Sequence, residues 1–224
     1  MLYFKKANRW FPIIEPILAA NNIPDDFKYL ALIESGLTNV VSPAGAAGYW
    51  QFLKTTGKEY GLQINGEVDE RYHMEKATQA ACDYLNDAHK KYENWALVAA
   101  SYNVGMGKIT KELERQKADS YYDLLLNTET GRYVFRMLAV KDILENPSRY
   151  GFNIRKGDLY KPLDFKVIKL DTAVANFADF AIDHNVSYKI LKHFNPWLRD
   201  SYLKNTARTV YEVKLPTNSN YELN

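Results

Sequence analysis

The chain holds a single cysteine, Cys82, in 224 residues. It can form no intramolecular disulfide and has no cysteine partner for a metal site. It lies among alanines in AACDYL, the setting of a small buried helix residue. No apolar run approaches the length that crosses a bilayer. The opening MLYFKKANRWF is too polar and aromatic for a signal peptide, and no lipid-attachment cysteine lies near it. A cytoplasmic protein or a processed form would both accord with that start. An excess of one charge is also missing: 29 Lys and Arg face 27 Asp and Glu, a net +2. Nucleic-acid binding, which needs basic residues gathered on one face, is therefore not expected. Strand-like alternation is absent before residue 160, and there is no internal repeat.

What is present describes a soluble globular protein, 46% hydrophobic and 25% charged, long enough for one large domain and one small one. Aromatics at 14% are plentiful; exposed Tyr and Trp often line carbohydrate or peptide grooves, although most should pack. Helical spacing over residues 3–21 sets Phe4, Trp10, Ile13, Ile14, Ile17 and Leu18 in a stripe, with Pro12 and Pro16 expected to bend or restart the helix. A loop at TNVVSPAGAAG leads to GYWQFLKTTGKEYGL, read as a short helix ending near Gly57 or Gly61. Further helices are predicted at 75–92, at 95–104 with Asn94 as cap, and at 108–115, 120–126 and 130–144. After the Pro- and Gly-punctuated PSRYGFNIRKGDLYKPL, the order becomes strand, helix, helix, strand, a unit of about fifty residues expected to lean on the helical part.

The stretch IPDDFKYLALIESG stands out. After Asp25 and Asp26, suited to a helix start, its residues are apolar nearly all round, the mark of a buried helix, and Gly36 supplies a stop. Glu34 shares a face with Phe27, Leu30 and Ala31 in the last turn. Desolvation there raises a carboxyl pKa, as a general acid working near neutral pH requires. An ion-paired glutamate, or one reaching solvent at the helix end, is the plainer alternative.

Three ordered segments carry more than any one alone: IESGLTNVVSPAGAAGYWQF, ASYNVGMGKI and NTETGRYVFRMLAV. Together they resemble the catalytic domain of the soluble lytic transglycosylase family, glycoside hydrolase family 23, which shares its fold with goose-type lysozymes. The resemblance implies a mainly α chain: a lysozyme-like helical domain at 1–150, a linker at 151–162, and a small α+β (βααβ) LysM-like domain at 163–218. It implies cleavage of the bond between N-acetylmuramic acid and N-acetylglucosamine in peptidoglycan without hydrolysis, leaving a 1,6-anhydro end. Glu34 matches the family's single acid/base, while Ser35, Gln51, Tyr102, Asn103, Glu129 and Tyr133 match positions that contact or orient substrate. No metal or cofactor is implied. The partners expected are peptidoglycan glycan strands, met as a monomer in the periplasm or cell envelope, with a membrane anchor lying outside this sequence. Two rivals stay open: a hydrolytic muramidase on the same fold, and a glycan-binding protein that no longer cuts. Tyr49, Ser101, Leu37 and Val40 depart from the usual pattern. So does Leu170-Asp171 where LysM modules carry Gly-Asp, which puts glycan binding by that unit in doubt.

Overall fold

A computed structural model describes residues 1–218. Seven helices come first: α1 (Leu2–Ala20), α2 (Lys28–Ser35), α3 (Lys54–Glu59), α4 (Met74–Tyr92), α5 (Trp95–Val104), α6 (Met106–Gln116) and α7 (Thr128–Glu145). The last part is β1 (Phe165–Leu170), α8 (Phe177–Asp183), α9 (Tyr188–Phe194) and β2 (Tyr211–Pro216). The two strands pair antiparallel from Phe165↔Pro216 to Leu170↔Tyr211. The fold is thus mainly α with a small βααβ unit.

Local signals explain most of these elements. Asn94 caps α5, its side chain accepting from the N–H groups of Ala96 and Leu97, and Gly36 ends α2 in the left-handed conformation. Ala77, Ala80, Ala81 and Ala88 give α4 a buried stripe of small side chains, so that α1 and α5 approach closely.

Three expectations need correction. Pro12 and Pro16 do not restart α1, which runs through both. They sit on its exposed side, so the hydrogen bonds they forgo fall there, while Phe4, Ala7, Phe11, Ile14 and Leu18 hold the opposite face in the core. Residues 120–126 form only a 3₁₀ turn at Tyr121–Asp123. There the Leu125 N–H donates to Gln116 Oε1 and Leu125 O accepts from Gln116 Nε2, taking the backbone groups a helix would use. The helix expected from residue 48 begins only at Lys54, because Gly48 (φ +79°) and Gln51 (φ +51°) turn the chain before it. Gly57 lies inside that helix, and Gly61 (φ +81°) follows it.

Among the described residues, buried side chains fall into two clusters. The larger joins α1, α2, α4, α5 and α7 around Ile14, Phe27, Leu30, Leu32, Trp50 and Leu85. The smaller is built from Phe177, Leu191, Trp197, Leu198, Tyr211, Val213 and Leu215, and takes in Ala47, Val68 and Tyr72 from the helical part. Residues 151–162 run back along α1, where Asn8 donates to Tyr160 O (2.9 Å) and Arg9 to Lys161 O (3.0 Å). Among the described residues no helix is long and apolar enough to cross a membrane.

Candidate active site

The end of α2, the end of α5, the first turns of α7 and the loop 42–53 converge on a cleft of ≈ 600 Å³. Glu34, Gln51, Tyr102, Asn103, Glu129 and Tyr133 all line it. Ser35, the remaining predicted site residue, does not. Its hydroxyl lies 2.7 Å from Tyr49 O and 3.1 Å from Ala31 O, latching the end of α2 to the back of the loop.

Glu34 projects from the last turn of α2, and Tyr133 on α7 donates its hydroxyl to Glu34 Oε1. Burial pushes the Glu34 carboxyl above its ordinary range; the Tyr133 hydrogen bond and the Arg136 guanidinium pull the other way, and the charge of Glu129 adds to the rise. Placement at a helix C-terminus, where free carbonyls point outward, acts in the same sense as burial. The Tyr133 hydroxyl is held far above its usual range by burial and by the adjacent carboxylate, so it remains a donor.

Tyr102 is turned to a different partner than the acid. Its hydroxyl donates to Trp50 O (2.8 Å), with the ring among Trp50, Phe52 and Tyr84. Trp50 is fully buried, and its Nε1 donates to Thr78 Oγ1 (2.9 Å). Gln51, next in the chain, reaches the cleft while its Nε2 donates to Val40 O (3.0 Å) and Gly48 O (2.8 Å). Asn103 ties α5 to α7: Oδ1 accepts from Thr130 Oγ1 (2.9 Å), and Nδ2 faces Glu129 Oε1 at 3.4 Å. Glu129, in the first turn of α7, is exposed, and its charge suits the positive end of that helix.

Among the described residues only Glu34 and Glu129 bring carboxylates to the cleft lining. Asp69 and Glu70 lie outside it, the first paired with Arg71 (2.7 Å), the second with Lys76 and the Gln63 N–H (2.8 Å). Among the described residues no three His, Cys, Asp or Glu side chains gather as a metal ion would need. Arg136, which the sequence reading passed over, also lines the cleft and donates to Ile33 O (3.3 Å). The spacing Glu129, Tyr133, Arg136 places it on their helix face and was the signal available.

A family profile described as the transglycosylase SLT domain matches residues 11–125, and one described as the soluble lytic transglycosylase C-terminal LysM-like domain matches residues 166–219. "Membrane-bound lytic murein transglycosylase D" of Escherichia coli (strain K12) is 33% identical over 188 residues, covering 81% of this chain and 41% of that protein. The protein of the same name from Escherichia coli O6:H1 matches to the same extent. The chain therefore spans about two fifths of the length of these curated relatives. Among solved structures, the complex of the 70-kDa soluble lytic transglycosylase with bulgecin A aligns with a TM-score of 0.50 at 20% identity. It covers 64% of this chain and 24% of that one, a likeness of fold.

Proposed function

The chain belongs to the transglycosylase SLT family, and on that premise we propose that it is a peptidoglycan lytic transglycosylase with Glu34 as its one acid/base. In this reading the protonated Glu34 gives its proton to the glycosidic oxygen between N-acetylmuramic acid and N-acetylglucosamine. The C1–O bond breaks, and the carboxylate then takes the proton of the sugar's own 6-hydroxyl as that oxygen bonds to C1. A 1,6-anhydro end forms, no water is consumed, and Glu34 finishes protonated. Tyr133 orients the carboxyl, while Gln51, Asn103 and Glu129 bind sugar substituents; Tyr102 acts by holding the Trp50–Gln51 backbone. Ser35 serves the loop behind the cleft. The helical unit at 1–150 carries the chemistry, joined through 151–162 to the LysM-like unit at 163–218. The substrate places the site of action at the cell envelope, which the relatives' names as membrane-bound murein enzymes support.

The observation that carries this reading is the contrast between the two cleft carboxyls. Glu34 is desolvated and held by Tyr133, whereas Glu129 is exposed on the rim beside Asn103. A retaining hydrolase would need the second carboxylate about 5 Å from the first as nucleophile. The presence of Glu129 in the same cleft is what favours the rival, a hydrolytic muramidase. Mass spectrometry of peptidoglycan digested by the parent, Glu34→Gln and Glu129→Gln decides between them. Anhydro-muropeptides from the parent and from Glu129→Gln, with none from Glu34→Gln, are expected. Reducing ends that vanish in both variants would assign hydrolysis, and no products from the parent on sacculi that it binds would leave a binding protein.

A further inference from the structure

Consecutive residues of the cleft loop face two ways. Ala46 lines the cleft, whereas Ala47, 1% exposed, belongs to the apolar cluster of the LysM-like unit with Phe177, Leu191, Trp197 and Leu198. Ala47 also bridges Val41 and Phe52, so it is a node of the wall that presents Gln51.

Residues 63–75 lie behind that wall and are gripped from both sides. On the side of the LysM-like unit, Asp69 N donates to Trp197 O (2.9 Å), Arg199 N to Glu67 O (2.7 Å), Lys204 N to Glu67 Oε2 (2.7 Å) and Tyr211 Oη to Gln63 Oε1 (2.9 Å). The Arg199 guanidinium also lies 4.2 Å over the Tyr72 ring. On the cleft side, Arg71 sets Nε and Nη2 on the Asp69 carboxylate (3.0 and 2.7 Å) and Nη1 on both Gly45 O (3.0 Å) and Phe52 O (3.1 Å). Gly48 passes so close that a Cβ there would stand 1.8 Å from Arg71 O. A contiguous path of contacts thus runs from the LysM-like unit through the buried Asp69 and Arg71 to both ends of the loop.

We infer that the LysM-like unit is the outer support of the cleft wall: through Asp69 and Arg71 it positions residues 42–53, and Gln51 with them, whether or not it binds glycan itself. Arg71 touches no substrate in this scheme and is a positioning residue. The inference rests on the cleft assignment made above, but the order of the loop can be measured without any catalysis.

Two variants of the whole chain test it: Arg71→Met, which cuts the strut, and Leu198→Asp, which puts a carboxylate into the apolar cluster that Leu198 shares with Ala47 and Val68. Turnover is measured on a soluble tetrasaccharide, too short to span cleft and accessory unit together, and hydrogen exchange is followed at residues 42–53. Both variants should lower kcat/KM on the short glycan by about 10- to 100-fold, the scale of a misplaced binding group. They should also speed exchange across 42–53 while amides of α4 and α5 stay protected. Arg71→Lys, able to keep the Asp69 pair alone, should fall between parent and Arg71→Met. If Leu198→Asp loosens the LysM-like unit yet leaves exchange at 42–53 and short-glycan turnover at parent level, the unit is only a tether and the inference fails. Should the parent cut no glycan, the enzymatic reading falls, while the exchange comparison still decides whether the wall is supported from behind.

Discussion

Replacing Tyr133 with Phe probes the acid without touching it. The Tyr133 ring is 1% exposed and would stay packed, so the variant removes only the hydroxyl that donates to Glu34 Oε1. A hydrogen bond to a charged group is worth about 1.5–3 kcal/mol. If that bond holds the carboxyl in its reactive geometry, kcat/KM should drop roughly 10- to 150-fold at the same free energies. The direction of the pH effect is a separate check. In the parent, burial raises the Glu34 pKa and the Tyr133 bond restrains the rise. Without it the charged form is less favoured, so the alkaline limb of the kcat/KM profile should move to higher pH. The assay is the pH dependence of anhydro-muropeptide release by both proteins, with circular dichroism to confirm that the fold is kept. Turnover within about twofold of the parent and an unmoved alkaline limb would refute the view that Tyr133 tunes and orients Glu34.

Glu34→Gln should be inactive but more stable at neutral pH. A carboxyl with a raised folded pKa stabilises the fold most fully when protonated, below its unfolded pKa, and that contribution is lost as pH rises through the folded value. Removing the buried charge should add about 1 kcal/mol, or ~3 °C in melting temperature, and a variant that melts lower at pH 7 would contradict the desolvation argument. Glu75 has the opposite sign. Burial would raise its pKa from 4.5, but His73 and Lys214 override this and bring it to about 2. The Lys214 pair, which joins α4 to β2, is the firmer contribution, since His73 Nδ1 at 3.2 Å is poorly aimed for a hydrogen bond. Stability from this pair is present above pH 4.5 and lost as pH falls towards 2; with Glu75 about one-third exposed it is worth roughly 1–2 kcal/mol. Melting curves of parent and Glu75→Gln should therefore converge at low pH, and a constant gap would sink the assignment. Gly48→Ala should destabilise by about 2–4 kcal/mol, because φ is +79° and the Cβ would strike Arg71 O, whereas Gly45→Ala, at φ +80° with open space around it, should cost only ~1 kcal/mol. Equal losses in the two variants would show that the contact with Arg71 does not matter.

What could be read from the sequence was local. Asn94 as a cap, Gly36 as a stop, the alanine stripe of α4 and the position of Glu34 at the end of a buried helix all depend on neighbours within a few residues, and periodicity exposes them. The motif order also brought six of the seven predicted site residues to one cleft. The rest depended on partners far along the chain. Gln116 captures Leu125 and cancels a helix that composition favours. Ser35 turns from the cleft because Tyr49 O, fourteen residues on, takes its hydroxyl. Arg71 stands in the largely polar stretch QINGEVDERYH, where nothing announces that Gly45 and Phe52 need its guanidinium. The βααβ pattern was legible, but Ala47 as a member of its core was not, since one of three alanines in a loop of small residues carries no period.

The strained turn at Gln51 follows from the same division between core and cleft. Its φ of +51° costs an L-residue about 1–2 kcal/mol, so the conformation persists only if something larger is gained. The gain lies one residue earlier. Trp50 is fully buried, donates through Nε1 to Thr78, and offers its carbonyl to Tyr102. Truncating a buried Trp costs about 3–5 kcal/mol, more than the strain at Gln51. A left-handed residue directly after that anchor reverses the chain, so the side chain that follows the buried indole stands in the cleft lining. The Gln51 amide then closes the turn as a second donor to Val40 O and Gly48 O, which also accept from the N–H groups of Gly48 (3.1 Å) and Gln51 (3.4 Å). The order Trp-Gln is therefore mechanical as well as chemical: anchor first, presented group second. Reversing the two would put an amide in the core without Thr78 aligned to pair with it and an indole in the cleft.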